Sequence, residues 1–93
     1  MEEIVYKTEK RIDTKTAPKF AEALENFAAE GKFNLVIDMT ETEYISSVGL
    51  RAFLSMQKKV NANNGKMLIR NVQDGVREVF DITGFSGLLT VEK

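Results

Sequence analysis

The apolar positions along this chain change period several times, and each change marks an element. Residues 3–8 (EIVYKT) are short and rich in β-branched and aromatic side chains, which predicts a strand. A polar stretch, residues 13–18 (DTKTAP), follows. Thr14 or Thr16 can cap a helix there, and Pro18 suits its first turn. Phe20, Leu24, Phe27 and Ala28 then recur at the spacing of one helical face. They predict a helix from about Ala17 to Glu30, stopped by Gly31. Residues 33–38 (FNLVID) form an apolar, β-branched run, expected as a strand covered on both faces.

A polar connection, Thr40–Glu43, leads to Tyr44 and Ile45. Ser46 and Ser47 open a second helix running to about Asn63, with Gly49, Ala52, Phe53, Met56 and Val60 as its inward stripe. Asn63, Asn64 and Gly65 tolerate the left-handed conformation and end it. Lys66–Arg70 is a further short strand. Asn71 can cap a third helix from about Val72 to Ile82, carrying Val72, Val76, Val79 and Phe80 on one face, with Thr83 and Gly84 as its stop. Leu88–Val91 reads as a last strand. Strands alternating with helices predict an α/β fold with a mostly parallel sheet and right-handed crossovers. The 93 residues have room for a single domain, residues 1–93, with four or five strands and three to four helices.

Charge and composition narrow the function. Thirteen basic and fourteen acidic residues leave a net charge of -1, so there is no basic footprint for nucleic acid. The chain contains neither Cys nor His. Disulfides, thiolate nucleophiles, histidine bases and histidine- or thiolate-ligated metals are thereby excluded. Met1, Glu2 and Glu3 lack the basic and apolar regions of a signal peptide, and no apolar run reaches the ~18 residues of a membrane span. The expectation is a cytoplasmic protein with no membrane insertion and no cofactor.

In an open α/β sheet, functional groups gather where strands end and helices begin. Two candidates fall there. Asp38 ends the central strand. It reads either as a phospho-acceptor or as a loop organiser accepting backbone N–H bonds. A phospho-acceptor needs a magnesium site built from further acids near the end of the first strand, and no acidic pair follows that strand. Ser46, Ser47, Val48 and Gly49 mark the second position. One serine suffices as a helix cap, stabilising by about 1 kcal/mol over alanine. The other would lie where helix N–H groups favour an anion, a place suited to a phosphoserine. Residues 84–87 (GFSG) make only a turn, and Lys58 and Lys59 read as a solvated helix face.

Residues 36–51 (VIDMTETEYISSVGLR) resemble the signature of the STAS domain, the fold of bacterial anti-sigma-factor antagonists. Residues 13–18 look like the family's segment before its first helix, and residues 76–85 (VREVFDITGF) resemble its third helix and following turn. The likeness runs in order from about Arg11 to Val91. It implies that Ser47 is the residue phosphorylated by the partner, an anti-sigma factor with serine kinase activity. A PP2C-type phosphatase would reverse the modification. It also implies a partner surface around Asp13, Thr14, Ser46, Val48, Gly49, Leu50 and Arg51, with no catalytic residue. Two departures stand out. Ser46 occupies the place of the family's usual aspartate, and one short segment precedes Asp13 where two strands are common. A STAS scaffold that never uses the switch, docked on a transporter or signalling complex, is the alternative. A small carboxylate enzyme acting through Asp13 or Asp38 is a third reading.

Overall fold

The structure is a computed structural model, and it describes residues 2–92. In chain order the elements are β1 (Ile4–Lys7), β2 (Arg11–Ile12), α1 (Ala17–Ala29), β3 (Asn34–Asp38), β4 (Tyr44–Ile45), α2 (Ser47–Ala62), β5 (Lys66–Arg70), α3 (Asp74–Thr83), a 3-10 turn (Phe85–Gly87) and β6 (Thr90–Val91). β1, β3, β5 and β6 form one sheet in that order, every pair parallel. β2 and β4 form a separate parallel ribbon. The short segment β2 is the second strand that the sequence pattern did not reveal. It comprises only two residues, too few to show a period.

The core is one apolar cluster. Leu35, Ile37, Met67 and Ile69 from the central strands meet Phe20 and Leu24 of α1, Phe53, Met56 and Val60 of α2, and Val76 and Phe80 of α3. An aromatic chain crosses it. Phe20 and Phe53 meet edge to face at 4.9 Å, and Phe53 and Phe80 at 6.0 Å. Alternation in the strands turns Val5, Val36 and Leu68 to the opposite face. Val36 lies outside the helix-covered cluster, so the helices cover β3 on one face and not on two. It is nonetheless only 3% exposed, because Val5 and Leu68 flank it in register.

The start of α1 at Ala17 is as expected, but the capping of α1 and of α3 differs. α3 begins at Asp74, and Asn71 does not cap it: Asn71 adopts a left-handed φ of 59° and sends its amide elsewhere. At α1, Thr16 occupies the cap position without a side-chain cap bond. The turn is organised instead by Asp13, described below. The three expected stops hold: Gly31 and Gly84 have φ of 71° and 80°, and Asn64 of 57°.

Two inward residues of α2 were missed, Leu50 and Gln57. Gln57 belongs to the buried face of α2, at 6% exposure. Its Nε2 donates to Asn61 Oδ1 at 2.9 Å, but its Oε1 has no partner among the described residues. An unpaired buried acceptor costs about 1–3 kcal/mol. Gln57→Met, which keeps the volume and removes the orphan oxygen, should raise stability by about 1 kcal/mol in urea unfolding. A lowered midpoint would show that the amide is better accommodated than its contacts indicate.

Candidate functional site

The four strands of the main sheet run parallel, so their C-terminal ends gather on one side of it. Asp38 ends β3 there, in register with Lys7 of β1 and Arg70 of β5. Its Oδ1 accepts from the Thr40 hydroxyl, the Asn71 amide (3.1 Å) and the Thr40 N–H (3.0 Å). These bonds favour the charged form and hold the carboxyl below its ordinary range, in that order of weight. Gln73 adds a bond from its amide to the Thr40 carbonyl at 2.8 Å. Asp38 thus braces the β3–β4 loop against the turn after β5. A second brace, Thr8 with Thr42, lies beneath. Both are buried, their hydroxyls bond each other, and Thr42 donates to the Glu9 carbonyl at 2.6 Å. It joins residues 34 positions apart and carries no local sequence signal.

The β2–β4 ribbon sets the second candidate. Ile12 lies opposite Ile45, and the Ser46 N–H donates to the Ile12 carbonyl at 2.7 Å. Asp13 and Ser46 are therefore the next residues on adjacent strands. Asp13 Oδ1 accepts from the N–H groups of Lys15 (2.9 Å) and Thr16 (3.1 Å), and the Asp13 carbonyl accepts from Ala17. The Thr16 hydroxyl locks the turn further, accepting from the Asp13 N–H and donating to the Arg11 carbonyl. The backbone N–H groups of Thr16 and then Lys15 push the Asp13 pKa down.

The two serines divide at the helix start. Ser46 is extended and 8% exposed, and its Oγ accepts from the Gly49 N–H at 3.3 Å. It is the cap. Ser47 is the first helical residue and exposed, and its hydroxyl has no partner among the described residues. Gly49 is required by close approach. A Cβ there would stand 2.7 Å from Ile12 Cγ2 and 2.9 Å from Ile45 Cγ1. Leu50 is buried, Val48 half-buried, and Thr14 and Arg51 exposed. So Asp13 and Ser46 are neighbours at the end of the ribbon and Ser47 follows Ser46 at the helix start, while Gly49 and Leu50 are buried beneath.

Two residues beside the site were not singled out from sequence. Arg11 holds its guanidinium 4.6 Å from the centre of the Tyr44 ring and 3.6 Å from Asp13 Oδ2. Both belong to two-residue strands, and their pairing depends on the ribbon register. Among the described residues there is no cluster of metal-ligating side chains, and no helix is long and apolar enough to cross a membrane.

Comparison with known proteins identifies the family. The family model for the STAS domain matches residues 2–93. The chain belongs to the STAS domain family. An anti-sigma-B factor antagonist from Listeria monocytogenes is 33% identical over 81 residues, covering 87% of this chain and 71% of that protein. A crystal structure of an anti-sigma factor antagonist from Mycobacterium paratuberculosis superposes with a TM-score of 0.84 at 25% identity, over 96% of this chain and 75% of the other. The fold also matches the anti-sigma factor antagonist SpoIIAA in its unphosphorylated form. There the TM-score is 0.83 at 15% identity, over 99% of this chain and 81% of that one. The mostly parallel α/β architecture of this STAS domain is shared with these structures.

Two results test the site's physics. Ser46→Ala should lower stability by about 1 kcal/mol through loss of the cap, and Ser47→Ala should stay within about 0.5 kcal/mol. Equal effects in chemical denaturation would contradict the division of roles. Asp13 and Asp38 both have lowered folded-state pKa values against an ordinary 3.8. Their stabilisation is therefore full above the unfolded value and lost as pH falls through the folded one. Asp38→Asn should flatten the acid limb of stability below about pH 4, read by thermal unfolding across pH.

Proposed function

We propose that this chain is an anti-sigma-factor antagonist working by partner switching. It binds an anti-sigma factor that carries serine kinase activity while Ser47 is unmodified. Phosphorylation of Ser47 by that partner ends the complex, and a PP2C-type phosphatase restores it. The observation that carries this reading is the unequal fate of the two serines. Ser46 is buried and spends its oxygen on the cap, whereas Ser47 is exposed with a free hydroxyl. The Listeria relative is an anti-sigma-B factor antagonist, which supports the antagonist part of this reading.

The switch is electrostatic. A phosphoserine adds about -1.5 to -2 charges at pH 7. In the first turn of α2 the helix dipole favours that charge by roughly 0.3–1 kcal/mol, so the fold is kept. Across an interface the same dianion must be desolvated, next to an Asp13 carboxylate that is already ionised. A 100- to 1,000-fold loss of affinity requires about 3–4 kcal/mol, which an unmatched buried dianion supplies. Thr14, Val48 and Arg51 present the surrounding contact surface. Ser46 in the place of the family's aspartate leaves one negative charge fewer before modification.

Wild type, Ser47→Ala and Ser47→Glu used as baits in native lysate separate this reading from its rival. The expected result is a GHKL-type kinase held by wild type and Ser47→Ala and absent from Ser47→Glu. The same partner on all three, or a transporter component on all three, would reject the switch and favour a constitutive scaffold.

A further inference from the structure

β1 ends the four-stranded sheet, and among the described residues no strand lies on its outer side. Which backbone groups face outward follows from the parallel ladder. Along a strand in such a ladder, alternate residues turn both their N–H and C=O to the same side. The Thr8 N–H donates to the Asp38 carbonyl of β3 at 3.0 Å. Thr8, Tyr6 and Ile4 therefore point inward to β3. Glu3, Val5 and Lys7 point their backbone groups outward from the edge. Val5 is also 61% exposed at its side chain.

We propose that this edge pairs with β1 of a second copy of the chain, antiparallel about a twofold axis through Val5, to form a continuous eight-stranded sheet. The sequence around Val5 is self-complementary. Val5 faces Val5 of the second copy and exchanges two hydrogen bonds with it. Glu3 faces Lys7 of the second copy, and Lys7 faces Glu3, so both outer pairs join opposite charges directly across the strands. On the helix-covered face, Ile4 comes opposite Tyr6 of the second copy. Tyr6 already packs on Phe20 and Phe27, so the new contact extends an existing apolar cluster.

Other registers are worse. An axis through Tyr6 sets Val5 against Lys7 and Glu3 against Glu9, two acids. An axis through Lys7 sets two lysines face to face. Lys7 now pairs with Glu41 at 2.7 Å, but both side chains are more than half exposed. Such a pair is weak and gives way to a cross-strand partner. The pairing uses none of Asp13, Ser46 or Ser47, so it stands apart from the proposed switch. A contact one strand wide is small against the ~1,200 Å² of stable interfaces, so the dimer is a weak one that assembles with concentration.

Sedimentation equilibrium across roughly two decades of concentration reads the association directly. Wild type should show a monomer–dimer equilibrium. Val5→Pro removes only an outward N–H and should abolish the dimer while leaving β1 paired to β3. Glu3→Lys and Lys7→Glu should each weaken association by roughly tenfold, and the double variant should recover it. Monomeric wild type throughout overturns the proposal. So does a dimer indifferent to Val5→Pro, or one in which the double variant is no better than either single.

Discussion

The approach of α2 to the β2–β4 ribbon is the constraint on which the site depends. Gly49 brings the first turn of the helix against Ile12 and Ile45 with no room for a Cβ. That contact fixes the rotation of α2 about its axis. Ser46 then falls where its hydroxyl meets the Gly49 N–H, and Leu50 enters the core. Ser47, one position on from the cap, is turned out to solvent. The exposed hydroxyl is thus a consequence of close packing beneath it. The same packing holds the ribbon, after which Asp13 and Ser46 follow as neighbours on adjacent strands.

The other polar groups at this end of the molecule serve the scaffold. Asp38 is committed to Thr40 and Asn71, and Asp13 to the turn before α1. Thr8 and Thr42 tie the loop after β1 to the loop after β3. Under the proposed switch, these braced loops around an exposed serine would form the surface a partner reads, and a charge added there would act on the partner more than on the fold. The phosphoserine would sit at a helix N-terminus that tolerates it, which reconciles a strong effect on binding with a small effect on stability.

Much of this was readable from the chain. The helical stripes of Phe20 and Leu24 and of Phe53, Met56 and Val60 located α1 and α2, because those faces must be apolar to bury. Gly31, Asn64 and Gly84 marked helix ends, because their backbone conformations exclude most other residues. Spacing alone could not divide the serine pair, since either could cap; the family likeness pointed to Ser47, and the fold shows that the cap uses the Ser46 oxygen. β2 was invisible because two residues have no period. Asn71 was misread as a cap, since the same amide serves a distant carboxylate equally well. Gln57 on the inner face of α2 breaks the polarity rule outright, and no local pattern predicts it.

The central claim is that modification at Ser47 changes the surface and leaves the architecture intact. The most direct test compares amide NMR spectra of the unmodified protein and of protein phosphorylated at Ser47. The account predicts shifts confined to the first turn of α2, the ribbon Arg11–Ile12 with Tyr44–Ile45, and the Asp13 turn. Shifts spreading through β3, β5 and the buried faces of α1 and α3 would contradict it and point to a conformational switch instead.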